Sequence, residues 1–309
     1  MQKIETIPKL KKRPAEAHKG DFGKVLIIAG SVGMSGAAAL AGKSALRAGA
    51  GLVRVATARS ALPIVAAIDP CYTTIPLAED NAGRIFAKAI NTILNAVQEN
   101  DVVAFGPGVG ISNGLQTIIN ELIRIENLRL IVDGDGLNNL SKLKNWPGLL
   151  KAQLILTPHP GEMKRLWSGL LREQMPTDTT LRSSGTTSLR STSRTEQAVK
   201  YAKESRAIVV LKGAGTIVTD SEKIYINKTG NPGMATAGAG DVLTGVITAL
   251  AGQGLSNFDA AVLGVYIHGL AGDIAAEKKG QTSLIATDII DALCDAFIRF
   301  NGGLKPTLQ

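Results

Sequence analysis

The sequence predicts an α/β protein built on an open, mostly parallel sheet with helices on both faces. Three observations carry this reading. Short apolar runs recur along the chain, and five of them end in Gly- or Pro-rich loops that hold polar residues. Stretches of helical period lie between these runs, the alternation expected of parallel βα units. Hydrophobic residues make up 45% of the chain but aromatics only 4%, alongside 34 glycines, which favours Ala, Val, Leu and Ile packing between helices and a sheet joined by tight loops.

Taken in order, residues 24–30 read as a strand ending in glycine, 31–36 as a glycine loop and 37–48 as an alanine-rich helix. Gly42-Lys43-Ser44 imitates the end of a phosphate-binding P-loop. The required first glycine falls on Ala37, however, and the preceding residues are helix interior, so the match is rejected. Residues 52–57 are the next strand. A strand at 101–105 leads into Gly106-Pro107-Gly108-Val109-Gly110 and a helix at 114–125. Strands at 128–133, 154–157 and 208–212 end in loops carrying Asp133 and Asp135, His159 and Glu162, and Lys212 to Thr216. In an open parallel sheet these carboxyl ends line one crevice. Residues 217–220 and 223–227 read as an antiparallel hairpin, and helices follow at 259–276 and 288–300.

The stretch 227–245 organises the rest. It packs five glycines into nineteen residues and runs into Val242, Leu243, Val246, Ile247 and Leu250 at helical spacing. A glycine loop that empties into a helix points unpaired N–H groups, and the positive end of the helix dipole, at an anion such as a phosphate. Asp241 sits at that mouth, either as a helix cap or as a base beside a phosphate. The other loops leave similar choices. Lys212-Gly213-Ala214-Gly215-Thr216 offers a cation, bare amides and a hydroxyl, or is a turn with a solvated lysine. Asp133 and Asp135 hold a metal through water, or serve as helix caps or turn formers. His159, framed by two prolines, touches a ligand or bonds nearby backbone, and Glu162 caps the next helix or holds a water on magnesium.

The formal net charge is +8, but Lys3, Lys9, Lys11, Lys12, Arg13, Lys19 and Lys24 crowd the start, and four arginines lie between 172 and 194. The excess therefore reads as peripheral, a solvated basic extension over 1–17 and an exposed, mobile insert over 170–196, and nucleic acid is not expected as a partner. Cys71 and Cys294 form neither a disulfide framework nor a zinc site, which fits a reducing cytoplasm. No secretory leader opens the chain, and the uncharged run 25–42 is broken by glycines, so no membrane span is expected.

Several motifs together are similar to the ADP/ATP-dependent NAD(P)H-hydrate dehydratases. They are the stretch 18–38 from His18 to Ala38, Phe105 to Gly110, Thr157-Pro158-His159-Pro160-Gly161-Glu162-Met163, Leu211 to Thr216, Gly230 to Gly245, Leu263 to Asp273 and Leu284 to Asp288. The resemblance runs in order over about 18–298. It implies a ribokinase-like fold over 1–309 as one catalytic domain without a separate lid. It also implies repair of the S epimer of hydrated NADH or NADPH, with ADP, or alternatively ATP, as co-substrate, giving AMP and phosphate in the ADP case.

The same resemblance implies that Asp241 is the base. Lys212, Gly213, Ala214, Gly215, Thr216, Asn231, Gly238, Ala239 and Gly240 hold the nucleotide, and Ala38, Gly108, Gly110, His159 and Asp241 face the hydrated dinucleotide. Mg2+ is expected with the phosphates, its water shell held by Glu162. A homotetramer and a separate epimerase are implied as partners, because the epimerase domain fused to many members is absent from this sequence. The usual loop before the aspartate reads Gly-Gly-Ser-Gly, whereas here Ala237-Gly238-Ala239-Gly240 lacks the hydroxyl. The alternatives are a small-molecule kinase of the same fold, which usually carries Asn where His159 stands, and a nucleotide-binding regulatory protein, which would lack Asp241.

Overall fold

The computed structural model describes residues 1–174 and 193–302. Ten strands form one sheet: β1 (Gln2–Lys3), β2 (Lys24–Ile28), β3 (Leu52–Ala58), β4 (Thr73–Leu77), β5 (Val102–Phe105), β6 (Arg129–Val132), β7 (Gln153–Leu156), β8 (Ile208–Leu211), β9 (Ile217–Thr219) and β10 (Lys223–Ile226). Their order is β1-β10-β9-β8-β7-β6-β5-β2-β3-β4. Every pairing is parallel except the two made by β9, so the sheet is parallel apart from the predicted hairpin. Strand order reverses between β2 and β5, and their loops are tied together there: Gly30 N–H donates to Pro107 O at 2.8 Å and Ser31 Oγ to Gly108 O at 2.8 Å. Such a switch point opens a crevice at the carboxyl ends of the strands.

The helices are α1 (Ser35–Arg47), α2 (Leu62–Ile68), α3 (Ile90–Gln98), α4 (Asn113–Leu122), α5 (Asp135–Leu140), α6 (Trp146–Leu149), α7 (Pro160–Gln174), α8 (Arg194–Ser205), α9 (Ala239–Gly252), α10 (Asn257–Lys279) and α11 (Ala286–Phe300). Both sheet faces are buried, as the two alternating sets on each central strand require. Val25 and Ile27 of β2 join a core with α1, α9, α10 and α11, while Leu26 and Ile28 join a second core with α3, α4, α7 and α8. Helix α10 is long and apolar enough to cross a bilayer, but 72% of its apolar window lies inside the first core.

Several sequence readings need correction. The 1–17 extension is not a free solvated tail: Gln2 and Lys3 pair with Lys223 and Ile224 at the sheet edge, and Ile4, Ile7 and Leu10 pack against the core. Arg13 lies 3.8 Å from the centroid of the Phe22 ring and donates to Gly49 O, while Lys9, Lys11 and Lys12 stay exposed. The 170–196 segment is not a loop at its ends, since α7 continues to Gln174 and α8 starts at Arg194; residues 175–192 lie outside the described residues. Strand β4 escapes the apolar pattern because it is an edge strand of mixed exposure carrying Pro76, a residue confined to edges since it cannot donate to a ladder.

Candidate active site

Three neighbouring parallel strands each deliver one polar residue immediately past their last position: Asp133 after β6, Thr157 after β7 and Lys212 after β8. They meet. Asp133, 2% exposed, accepts from Lys212 Nζ at 2.6 Å and Thr157 Oγ1 at 2.7 Å through Oδ1, and from Thr244 Oγ1 of α9 at 2.8 Å through Oδ2. A buried carboxylate is tolerated because its oxygens are satisfied by charge-assisted bonds. Burial alone would lower the Lys212 pKa, but Asp133 and Glu162 outweigh it and raise it, so the ammonium is retained. The Asp133 side chain anchors Lys212, and its carbonyl accepts from Gly136 N–H at 2.9 Å, so it also closes a turn.

This pair lies directly against the start of α9. A Cβ placed on Gly240 would sit 3.2 Å from Lys212 Nζ and 3.7 Å from Asp133 Oδ2, so glycine permits the approach. Gly238 occupies the left-handed region at φ 86 and opens the helix. The amides of Ala237, Gly238, Gly240 and Asp241 donate to no protein group among the described residues. They form a turn of free amides with the lysine charge behind it, an arrangement chemically suited to an anion.

Asp241 is the carboxylate this turn exposes. Its side chain caps nothing in α9 and makes no hydrogen bond or ion pair among the described residues, which removes the helix-cap reading. Burial, then the negative charge of Asp133, pushes its pKa up to about 7, against the pull of Lys212. An unpartnered carboxylate with that pKa is matched to general-base work near neutral pH.

Glu162 opens α7 and is 5% exposed; it accepts from His159 N–H at 2.8 Å through Oε2, so the capping reading holds. Lys212 Nζ is 3.9 Å from the same oxygen. Burial lifts Glu162 to about 7, with Lys212 opposing and Asp133 adding to the rise. His159 is exposed; its Nδ1 accepts from Gly161 N–H at 3.0 Å, which leaves the ring proton on Nε2, 3.4 Å from Glu162 Oε1. Burial, Lys212 and Arg165 keep the His159 pKa low, favouring that neutral tautomer. Among the described residues no cluster of three His, Cys, Asp or Glu could hold a metal by itself.

The remaining predicted residues divide by what they can offer. Ala38 is wholly buried in the first turn of α1. Gly108 lies under that turn, since a Cβ there would be 2.9 Å from both Ala37 Cβ and Met34 O. Gly110 is a shaping residue, its N–H held by Asp135 Oδ2 at 2.9 Å and its O by Asn139 Nδ2 at 2.8 Å. Asn231 is likewise committed: Oδ1 accepts from Gly233 N–H at 3.0 Å and Nδ2 donates to Asp273 Oδ1 at 2.9 Å. Asp273 Oδ2 also accepts from Gly230 N–H at 2.8 Å, which makes this α10 residue the outside brace of the loop. Sequence reasoning assigned no role to Asp273, Thr157 or Thr244. The available signal was position, since Thr157 follows a strand as Asp133 and Lys212 do.

Against this geometry, the profile of the NAD(P)H-hydrate dehydratase family matches residues 25–295. The chain belongs to this family. Among the relatives, the ADP-dependent (S)-NAD(P)H-hydrate dehydratase of Neisseria meningitidis is 34% identical over 289 residues, covering 91% of this chain and 87% of its own. A bifunctional NAD(P)H-hydrate repair enzyme of Moorella thermoacetica is 42% identical over 286 residues, 92% of this chain but 51% of its own. The chain thus spans about half the length of the bifunctional relatives. Among solved structures, the ADP/ATP-dependent NAD(P)H-hydrate dehydratase of Bacillus subtilis, co-crystallised with ATP and Mg2+, superposes with a TM-score of 0.75 at 26% identity, covering 94% of each chain. The ribokinase-like expectation holds for the fold: an Enterococcus faecalis protein of that superfamily superposes equally well, at 0.75 and 25% identity.

Proposed function

We propose that this member of the dehydratase family removes water from the S epimer of hydrated NADH or NADPH at the expense of ADP, restoring the reduced nicotinamide and releasing AMP and phosphate. One observation carries the proposal. Asp241, half-buried and unpartnered with a pKa near 7, stands in a turn of free amides backed by the Lys212 ammonium. The family match and the name of the Neisseria relative support the substrate and the nucleotide.

In this reading Asp241 takes the proton of the ring hydroxyl, whose oxygen attacks the terminal phosphoryl group. Phosphate then leaves where hydroxide would not, and loss of a neighbouring C–H proton completes the double bond. The amides of Ala237, Gly238, Gly240 and Asp241 bind the charge that builds on the phosphoryl oxygens, a role that backbone donors fill without a serine hydroxyl at position 239. Lys212 adds positive charge, fixed in place by Asp133. Lys212 to Thr216 and the 231–240 loop hold the nucleotide, and Gly108, Gly110 and His159 bound the dinucleotide side.

Magnesium is proposed to accompany the phosphates. The residues fit a cation held mostly by phosphate and water: Glu162 Oε1 accepts no hydrogen bond from a backbone group, whereas both Asp133 oxygens are taken. When bound, the ion would neutralise phosphate charge. We also propose a cytoplasmic homo-oligomer, a tetramer by the resemblance, with an epimerase acting beside it; the exposed free thiols Cys71 and Cys294 suit a reducing compartment.

The test is incubation of the protein with hydrated NADH and ADP or ATP. Recovery of reduced-nicotinamide absorbance supports the dehydratase, and a stable phosphorylated product in its place would convert the reading to a kinase.

A further inference from the structure

The loop 212–216 carries a device that its sequence does not announce. Ser193 caps α8 reciprocally with Glu196: Ser193 Oγ accepts from Glu196 N–H at 3.2 Å, and Glu196 Oε2 accepts from Ser193 N–H at 2.8 Å. This fixes Arg194 at the first helical position, from which its side chain crosses to the end of β8. Nη1 donates to Ala214 O at 2.7 Å, and Nη2 donates to Lys212 O at 3.0 Å, with Leu211 O further away at 3.5 Å. The guanidinium lies over Gly213, where a Cβ would come within 2.9 Å of Nη2.

The carbonyls and amides of this loop are treated differently. Thr216 Oγ1 donates to Gly213 O at 2.9 Å, so the carbonyls of Lys212, Gly213 and Ala214 are all engaged. The amides of Gly213, Ala214 and Gly215 donate to no protein group among the described residues, and the three residues are exposed. In a trans peptide the C=O and N–H point in opposite directions. Arg194 holds the carbonyls of the 212–213 and 214–215 peptides, so the Gly213 and Gly215 amides are turned to the opposite side. A cation on a carbonyl also polarises the amide of the same peptide, which makes it a stronger donor. The positive φ of Gly213 and Gly215, 132 and 61, lets the backbone take this shape.

We propose that Arg194 is a positioning residue for the nucleotide, a latch that turns the Gly213 and Gly215 amides outward as donors to its anionic or ribosyl oxygens. This rests on the reading that the 212–216 loop holds nucleotide. The latch acts on binding and leaves the phosphoryl-transfer centre at Asp241 in place.

Calorimetric titration of ADP and ATP, together with steady-state kinetics, on wild type, Arg194→Ala and Arg194→Lys tests it. In the alanine variant the nucleotide Kd and KM rise about tenfold while kcat at saturating nucleotide stays within about twofold. The lysine variant recovers part of the loss, because an ammonium lacks the planar fork that grips two carbonyls. In amide-resolved NMR, the Gly213 and Gly215 resonances move on adding nucleotide to wild type and move less in the alanine variant. Unchanged Kd and KM in Arg194→Ala, with wild type binding normally, overturns the latch alone. So does a fall in kcat and melting temperature without a change in Kd. If wild type binds neither nucleotide, the reading of the loop fails and the latch falls with it.

Discussion

Lys212 Nζ lies 2.6 Å from Asp133 Oδ1, beneath the glycine turn that begins α9. Two strands separated by β7 in the sheet thus supply the opposite charges behind the free amides of that turn. The acid is the more deeply buried partner, at 2% side-chain exposure against 18% for the lysine.

Breaking this pair from one side leaves a buried charge uncompensated. Asp133→Asn and Lys212→Met are each expected to destabilise the fold by about 3 kcal/mol or more in urea denaturation. The double variant should cost clearly less than the sum, since removing both charges leaves neither stranded. Additive losses would show that the two residues are stabilised independently.

The pH dependence follows from the two raised carboxyls. Asp241 and Glu162, both lifted to about 7, bind protons more tightly in the folded chain than in the unfolded one, whose carboxyls titrate near 4. Their contribution to stability is therefore fully present below about pH 4 and is lost as pH rises through about 7. Asp241→Asn, which removes the ionisation, should raise the melting temperature at pH 8 and change it little at or below about pH 4. Activity runs the opposite way, because the base must be ionised: kcat/KM should fall on the acid side of about pH 7. A flat profile between pH 5 and 8 would contradict the assignment of Asp241.

The glycine turn permits a contrast between two single-methyl additions. Gly240→Ala places its Cβ 3.2 Å from Lys212 Nζ, at the end of a flexible chain, so the fold should tolerate it while the phosphoryl contact suffers; turnover is expected to drop about tenfold or more. Gly238→Ala combines φ 86 with a Cβ 2.5 Å from Leu40 Cδ1, and should cost about 1–3 kcal/mol of stability. Ala239→Ser tests whether the missing hydroxyl matters. Ala239 is 8% exposed and the free amides belong to its neighbours, so activity should change by less than about threefold.

How much of this was legible in the sequence depended on range. The strand ends, the glycine turn and the apolar start of α9 are local patterns, and each appears where periodicity places it, as does the β9–β10 hairpin. Pairings across the sheet were not legible. Asp133 read as a turn or a metal ligand because its partners stand 24, 79 and 111 residues away, and nothing in sequence spacing joins them. Arg194 read as part of a peripheral basic segment for the same reason. The basic character of 1–17 masked Ile4, Ile7 and Leu10, whose burial comes from docking on an edge that composition does not show.

Arg129 is a further long-range contact of this kind, at the far end of α9. Its guanidinium donates to Ala251 O at 2.6 Å, Leu255 O at 2.5 Å and Asn257 Oδ1 at 2.7 Å, joining the last turn of α9 to the first of α10. A cation is favoured at that negative helix end, although burial lowers its pKa. Arg129→Met should lower stability by about 2–3 kcal/mol, measured by urea denaturation, with KM for nucleotide unaltered.

The central claim is that Asp241 is the base of a nucleotide-driven dehydration. The most direct measurement follows reduced-nicotinamide absorbance after mixing hydrated NADH and ADP with wild type and with Asp241→Asn, while calorimetry confirms that both bind nucleotide. The account predicts recovery with wild type and at least about a thousandfold slower recovery with the variant, nucleotide affinity being retained. Comparable recovery in both would contradict it.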